Sequence, residues 1–126
     1  MTPGASRDAR DARFRAVVVD GGALGAVAID VASRAVLAGH AHGDLVTPAV
    51  LDLLLGAVRP AGPLTRACGG PPVSTARELF VAGSARALYA VVLDHGEIIV
   101  IATPAAMSVA LGWALVRGLA APWSER

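Results

Sequence analysis

Two stretches, ALYAVVLD from Ala87 and EIIVIAT from Glu97, constrain this chain more than any other feature. Successive side chains of a strand point to opposite faces. Leu88, Ala90 and Val92 would face one way, and Tyr89, Val91 and Leu93 the other. Neither face is polar, and EIIVIAT behaves similarly. Strands of this kind are central in a sheet and covered on both sides. Asp94-His95-Gly96 joins them as a tight hairpin, with Gly96 free to take positive φ. The covering layers must be helices or another subunit.

The rest of the chain supplies three helices and more strands. Arg7 to Val19 is the first helix, with Phe14, Val17 and Val18 on its inner face. Its alternating Arg7, Asp8, Arg10, Asp11, Arg13 and Arg15 read as a solvated face. Asp20-Gly21-Gly22 ends it. GALGAVAID and AVLAGH then form a hairpin turning at Asp30 to Ser33. Thr47 caps a second helix and Pro48 fills its first turn, where the missing amide is no loss. This helix runs to Val58, with Val50, Leu51, Leu54 and Leu55 in one stripe and Leu53 outside it. Asp52 is its sole charge, so it is apolar nearly all round and calls for cover on a second side. Arg59 to Thr75 is rich in Pro and Gly and reads as an irregular connection. ELFVAG is the next strand. Thr103-Pro104 repeats the Thr47-Pro48 pattern and predicts a last helix to about Ala120. Its expected inner stripe is Met107, Leu111, Ala114, Leu115 and Leu119, with Trp113 off the stripe, toward the first helix or solvent.

Ile98 to Val116 carries no formal charge over nineteen residues, close to the length that spans a bilayer. Its β-branched first part and Ala/Leu-rich second part, parted by Pro104, instead read as a strand followed by a helix. The formal net charge is +1 and charged residues are 17% of the 126. All eleven basic residues are arginines, and they are scattered. Nucleic acid is therefore not an expected partner, because phosphate neutralisation needs clustered cations. One cysteine, Cys68, allows no internal disulfide. Without a secretory n- and h-region pattern, a cytoplasmic location and no membrane insertion are expected.

In this order of elements, GALGAVAID-VASRAVLAGH, LFVAGSARALYAVVLDHGEIIVIAT and the closing AAMSVALGWALVRGLAA resemble the roadblock/dynein-light-chain family, including its small bacterial members. The resemblance covers about residues 7–121, with flexible ends at 1–6 and 122–126. It implies an α/β fold: a five-stranded antiparallel sheet between a middle helix on one face and the first plus last helices on the other. It implies dimers with middle helices side by side and edge strands joined, the partner being a second copy or a related subunit. It also implies a non-enzymatic adaptor or regulator of a small Ras-like GTPase. A short second helix, a long Pro/Gly-rich connection, and Pro104-Ala105 in place of more polar residues depart from the family pattern. Two alternatives stand beside it: a structural scaffold subunit that binds no GTPase, and a small-ligand sensor or enzyme on a related fold.

The candidate interface follows from this arrangement. Leu51, Leu54, Leu55 and Val58 are divided between core and interface, and Leu53 faces outward. Phe80 and Val81 lie near the joining edge. Arg59, Arg77 and Arg86 are candidate partner contacts, with a plain solvated role as the alternative. No catalytic residue, cofactor or metal is expected. Ser74, Ser84 and Ser108 have no nucleophile setting, and Ser108 reads as local bonding within a helix. Cys68 in ACGGPP is an incidental or buried thiol. His40 and His42, with Asp44 nearby, make an incomplete ligand set, and His95 is a turn residue. GGALGAV lacks the Lys-Ser/Thr ending of a phosphate loop, so GTP chemistry would belong to a partner.

Overall fold

A computed structural model describes residues 3–58, 77–93 and 95–124. In chain order these form α1 (Pro3–Val19), β1 (Gly25–Asp30), β2 (Val36–His40), a single 3-10 turn (Gly43–Leu45) and α2 (Pro48–Val58). There follow β3 (Arg77–Ala82), β4 (Arg86–Val92), β5 (Glu97–Pro104) and α3 (Val109–Ser124). The strands make one sheet in the order β2-β1-β5-β4-β3, and every neighbouring pair is antiparallel.

The two apolar hairpin strands are central, as their two-faced pattern requires. On one face Tyr89, Val91, Ile99, Ile101, Ala26 and Ala28 pack with Phe14, Val17 and Val18 of α1 and Val116 and Leu119 of α3. On the other face Val27, Ile29, Ala90, Ile98 and Val100 pack with Leu45, Val50, Leu51 and Leu54. The middle helix thus covers one face and the first and last helices cover the other. The β4–β5 turn closes with Leu93 N–H donating to the Glu97 carbonyl at 2.8 Å, and Gly96 takes φ +88°. The first hairpin turns on Asp30, whose carboxylate accepts the Ser33 hydroxyl at 2.7 Å and the Ser33 N–H at 2.9 Å. Those two bonds, the hydroxyl first, hold the Asp30 carboxyl below its usual range.

Three expectations change. The uncharged run does divide into strand and helix, but at a different residue. β5 continues through Thr103, paired with Ala87, to Pro104, paired with Arg86. A residue preceding proline favours extended backbone, so Thr103 suits a strand end as well as a cap. The helix starts after Ser108, whose hydroxyl accepts the Leu111 N–H at 3.2 Å. Ser108 is therefore a cap rather than a mid-helix residue. At Thr47 the expected cap is present, its hydroxyl accepting the Val50 N–H at 3.4 Å.

Second, the buried stripe of α3 is Gly112, Val116, Leu119 and Ala120, while Leu111 is 45% exposed and Ala114 is exposed. A Cβ on Gly112 would lie 2.3 Å from the Tyr89 ring, so this bare backbone position is where the helix rests on the sheet. Trp113 turns accordingly toward Tyr89, not toward α1 or solvent. α3 also runs through Pro122.

Third, α1 begins at Pro3, with proline in its first turn, and its charges are not all solvated. Arg10 pairs with the buried Glu97 at 2.9 Å. Asp11 accepts the Gly39 N–H at 2.9 Å, and Arg13 donates to the Gly118 carbonyl at 2.9 Å.

Candidate protein interface

The residues of the candidate surface lie at two places. On α2, Leu54 is 1% exposed and belongs to the core, with Val50 and Leu51 packed beside it. Leu53, one residue away and about 100° around the helix, is 51% exposed. A leucine at that exposure on an otherwise apolar helix is the outward side anticipated above. Asp52 beside it pairs with Arg34 at 3.1 Å, on the outside of the molecule. The side chains of Leu55, Val58 and Arg77, and all of Arg59 and Cys68, lie outside the described residues.

The second place is β3. It is a sheet edge, and among the described residues no strand pairs with its outer side. The other edge, β2, lies beside α1, and the Asp11 carboxylate takes up the Gly39 N–H there. Val81 is half-buried and pairs with Leu88 on β4. Phe80 is 40% exposed. Its ring lies 4.9 Å from Tyr89 and 6.4 Å from Trp113, between centroids, so its inner side is occupied, and its outer side is uncovered among the described residues. Arg86 pairs with Asp44 at 3.6 Å, which ties β4 to the 3-10 turn and accounts for its charge within the chain.

Residue-by-residue reading missed the group around Phe80. Arg117 lies 4.9 Å over the Trp113 ring and donates two hydrogen bonds to Glu78, one of them at 2.8 Å. That bonding holds the Glu78 carboxyl below its usual range and raises Arg117. The local signals were present: Glu78 and Phe80 share a strand face, and Trp113 and Arg117 are one helical turn apart. Nothing local says that the two pairs meet.

Among the described residues no three His, Cys, Asp or Glu side chains gather as a metal set. His40 lines an open hollow of about 360 Å³ with Asp8, Asp11 and Arg15, where Asp11 is already engaged by Gly39. His42, on the loop before the 3-10 turn, does not line the hollow, and its imidazole lies against Gly39. His95 approaches Glu97 at 3.4 Å in the hairpin turn. Among the described residues no helix is long and apolar enough to cross a membrane.

No protein-family model matches the sequence, and no curated protein matches it significantly. Solved structures do match the fold. Myxococcus xanthus MglB is 16% identical, with a TM-score of 0.71 over 92% of this chain and 85% of that one. An MglB with tetrameric arrangement is 15% identical, with a TM-score of 0.74 over 99% of this chain and 90% of that one. A Roadblock/LC7 domain from Streptomyces avermitilis is 17% identical, with a TM-score of 0.54 over 92% of this chain and 98% of that one. The chain therefore has the fold that these MglB and Roadblock/LC7 structures share, built from a sequence that has little identity with any of them.

Proposed function

We propose that this protein is a dimeric, non-enzymatic adaptor or regulator acting on a small Ras-like GTPase. The observations that carry the reading are a β3 edge with no pairing strand among the described residues and a Leu53 that is 51% exposed on α2. An unpaired strand edge is a template for another strand, and an apolar helix with an exposed leucine needs a second cover. Two copies meeting there satisfy both needs. The likeness to MglB and Roadblock/LC7 structures supports the regulatory role. With no lysine in the chain, a phosphate-loop site of its own is not available. The chain would therefore hold or position elements of a partner that carries the nucleotide.

Light scattering over a concentration series tests the assembly, and binding to a candidate small GTPase loaded with GDP or a GTP analogue tests the role. The expected results are a stable dimer and tighter binding to one nucleotide state. Equal binding to both states would favour a scaffold subunit. A monomer at every concentration would overturn the dimer.

A further inference from the structure

We infer that, in a dimer joined through β3, the two-fold axis passes through Phe80, pairing Phe80 with the same residue of a second copy. This rests on the dimeric reading proposed above and adds its register. The argument begins from the hydrogen bonds of β3 to β4. Gly83 N–H donates to the Arg86 carbonyl at 2.9 Å. In an antiparallel pair, alternate residues direct both backbone groups to the neighbour. Val81, Leu79 and Arg77 thus turn theirs toward β4, opposite Leu88, Ala90 and Val92. Glu78, Phe80 and Ala82 turn theirs outward, to the edge left unpaired among the described residues.

Those three residues decide the register. With the axis at Phe80, Phe80 pairs with its copy and Glu78 pairs with Ala82 in both halves, so every outward group of Arg77–Ala82 is used in both strands. With the axis at Val81, Glu78 falls opposite Ser84, beyond the end of the partner's β3, and with the axis at Ala82, Glu78 and Phe80 both fall beyond it. An axis at Leu79 would set the Glu78 carboxylate against the Phe80 ring. Side-chain chemistry agrees. The Phe80 axis sets the free sides of two half-exposed rings against each other, a favourable cross-strand pair. It also sets Glu78 opposite alanine, whereas an axis at Glu78 would oppose two carboxylates. Each Phe80 ring is already held from behind by Tyr89 and Trp113. The edge alone is too small for a stable dimer, which needs roughly 1,200 Å² or more. The exposed Leu53 on α2 offers further apolar surface, and β3 supplies the register.

Cysteine cross-linking tests this in the full chain with Cys68→Ser. Single variants Glu78→Cys, Phe80→Cys and Ala82→Cys, and the double variant Glu78→Cys/Ala82→Cys, are oxidised mildly and their masses measured. Directly opposed residues in a hydrogen-bonded pair have Cα atoms about 5.5 Å apart, within disulfide reach. Residues four apart on one strand are about 13 Å apart and cannot bridge within a chain. The expected result is covalent dimer from Phe80→Cys and from the double variant, and none from either other single variant. The double variant keeps the Phe80 ring, so it reads the register even where Phe80→Cys loosens the dimer. Cross-linking of Glu78→Cys or Ala82→Cys alone would overturn the register. So would a stable dimer by light scattering with no cross-link from any variant, while leaving the dimeric reading intact. A monomer in the Cys68→Ser parent and in the unsubstituted protein would overturn both.

Discussion

Gly112 sets how closely α3 approaches the sheet. A Cβ there would overlap the Tyr89 ring, and Tyr89 is held between Phe80 and Trp113. Gly112→Ala gains helix propensity of about 1 kcal/mol, but the clash costs typically 1–3 kcal/mol. The expected outcome is net destabilisation in urea unfolding, larger for Gly112→Val, with near-ultraviolet circular dichroism changed by the displaced rings. Glu78 offers a second measurement. Its hydrogen bonds from Arg117 lower its pKa in the folded chain, so the pair stabilises the fold above the ordinary carboxylate range. That contribution is lost as pH falls through the lowered value. Both groups are solvent-exposed, so the effect is small and is reduced by salt. Following Glu78 by NMR, its titration midpoint should lie below that of a free glutamate. Arg117→Ala should move it back up.

At the scale of elements, the two Thr-Pro-Ala segments show how one local pattern serves two ends. Thr47 caps α2, whereas Thr103 is a fully buried strand residue whose hydroxyl has no partner among the described residues. Ser108 does the capping for α3. Ser108→Ala should cost about 1 kcal/mol. Thr103→Val, which removes a buried hydroxyl without changing the branched shape, should be near neutral or stabilising. Denaturant midpoints of the two variants distinguish this arrangement from one in which Thr103 opens the helix, where the order of costs would reverse. Pro104 satisfies either reading locally. What decides between them is the antiparallel pairing with Arg86 and Ala87 from another part of the chain.

At the scale of the molecule, the sheet has an interior that is apolar except for Thr103 and Glu97, and two unlike edges. The β2 edge is tied to α1 through Asp11 and Gly39. The β3 edge is open among the described residues. Leu53→Asp should shift the mass measured by light scattering from dimer to monomer, with far-ultraviolet circular dichroism and unfolding midpoint little changed, because the side chain already faces outward. Phe80→Asp should do the same from the other side of the sheet, with a modest loss of stability as the ring leaves Tyr89 and Trp113. Loss of fold in both variants, instead of loss of mass, would place these residues in the core of the single chain.

The strands and helices, and the burial of the central strands on both faces, were legible in the residues, while which helix covers which face came from the resemblance. A period of two with apolar residues at both phases marks central strands, and a period near 3.6 marks helices, because these follow from backbone geometry alone. The sequence also marked Leu53 as outward and Gly96 as a turn residue, since both depend on neighbours within one element. Where β5 ends, which side of α3 is buried and which charges of α1 are engaged were settled by long-range packing. Thr103, Gly112 and Arg10 depend on Ala87, Tyr89 and Glu97, partners remote in the chain. Local spacing records which side chains share a face, but not which distant face they will meet.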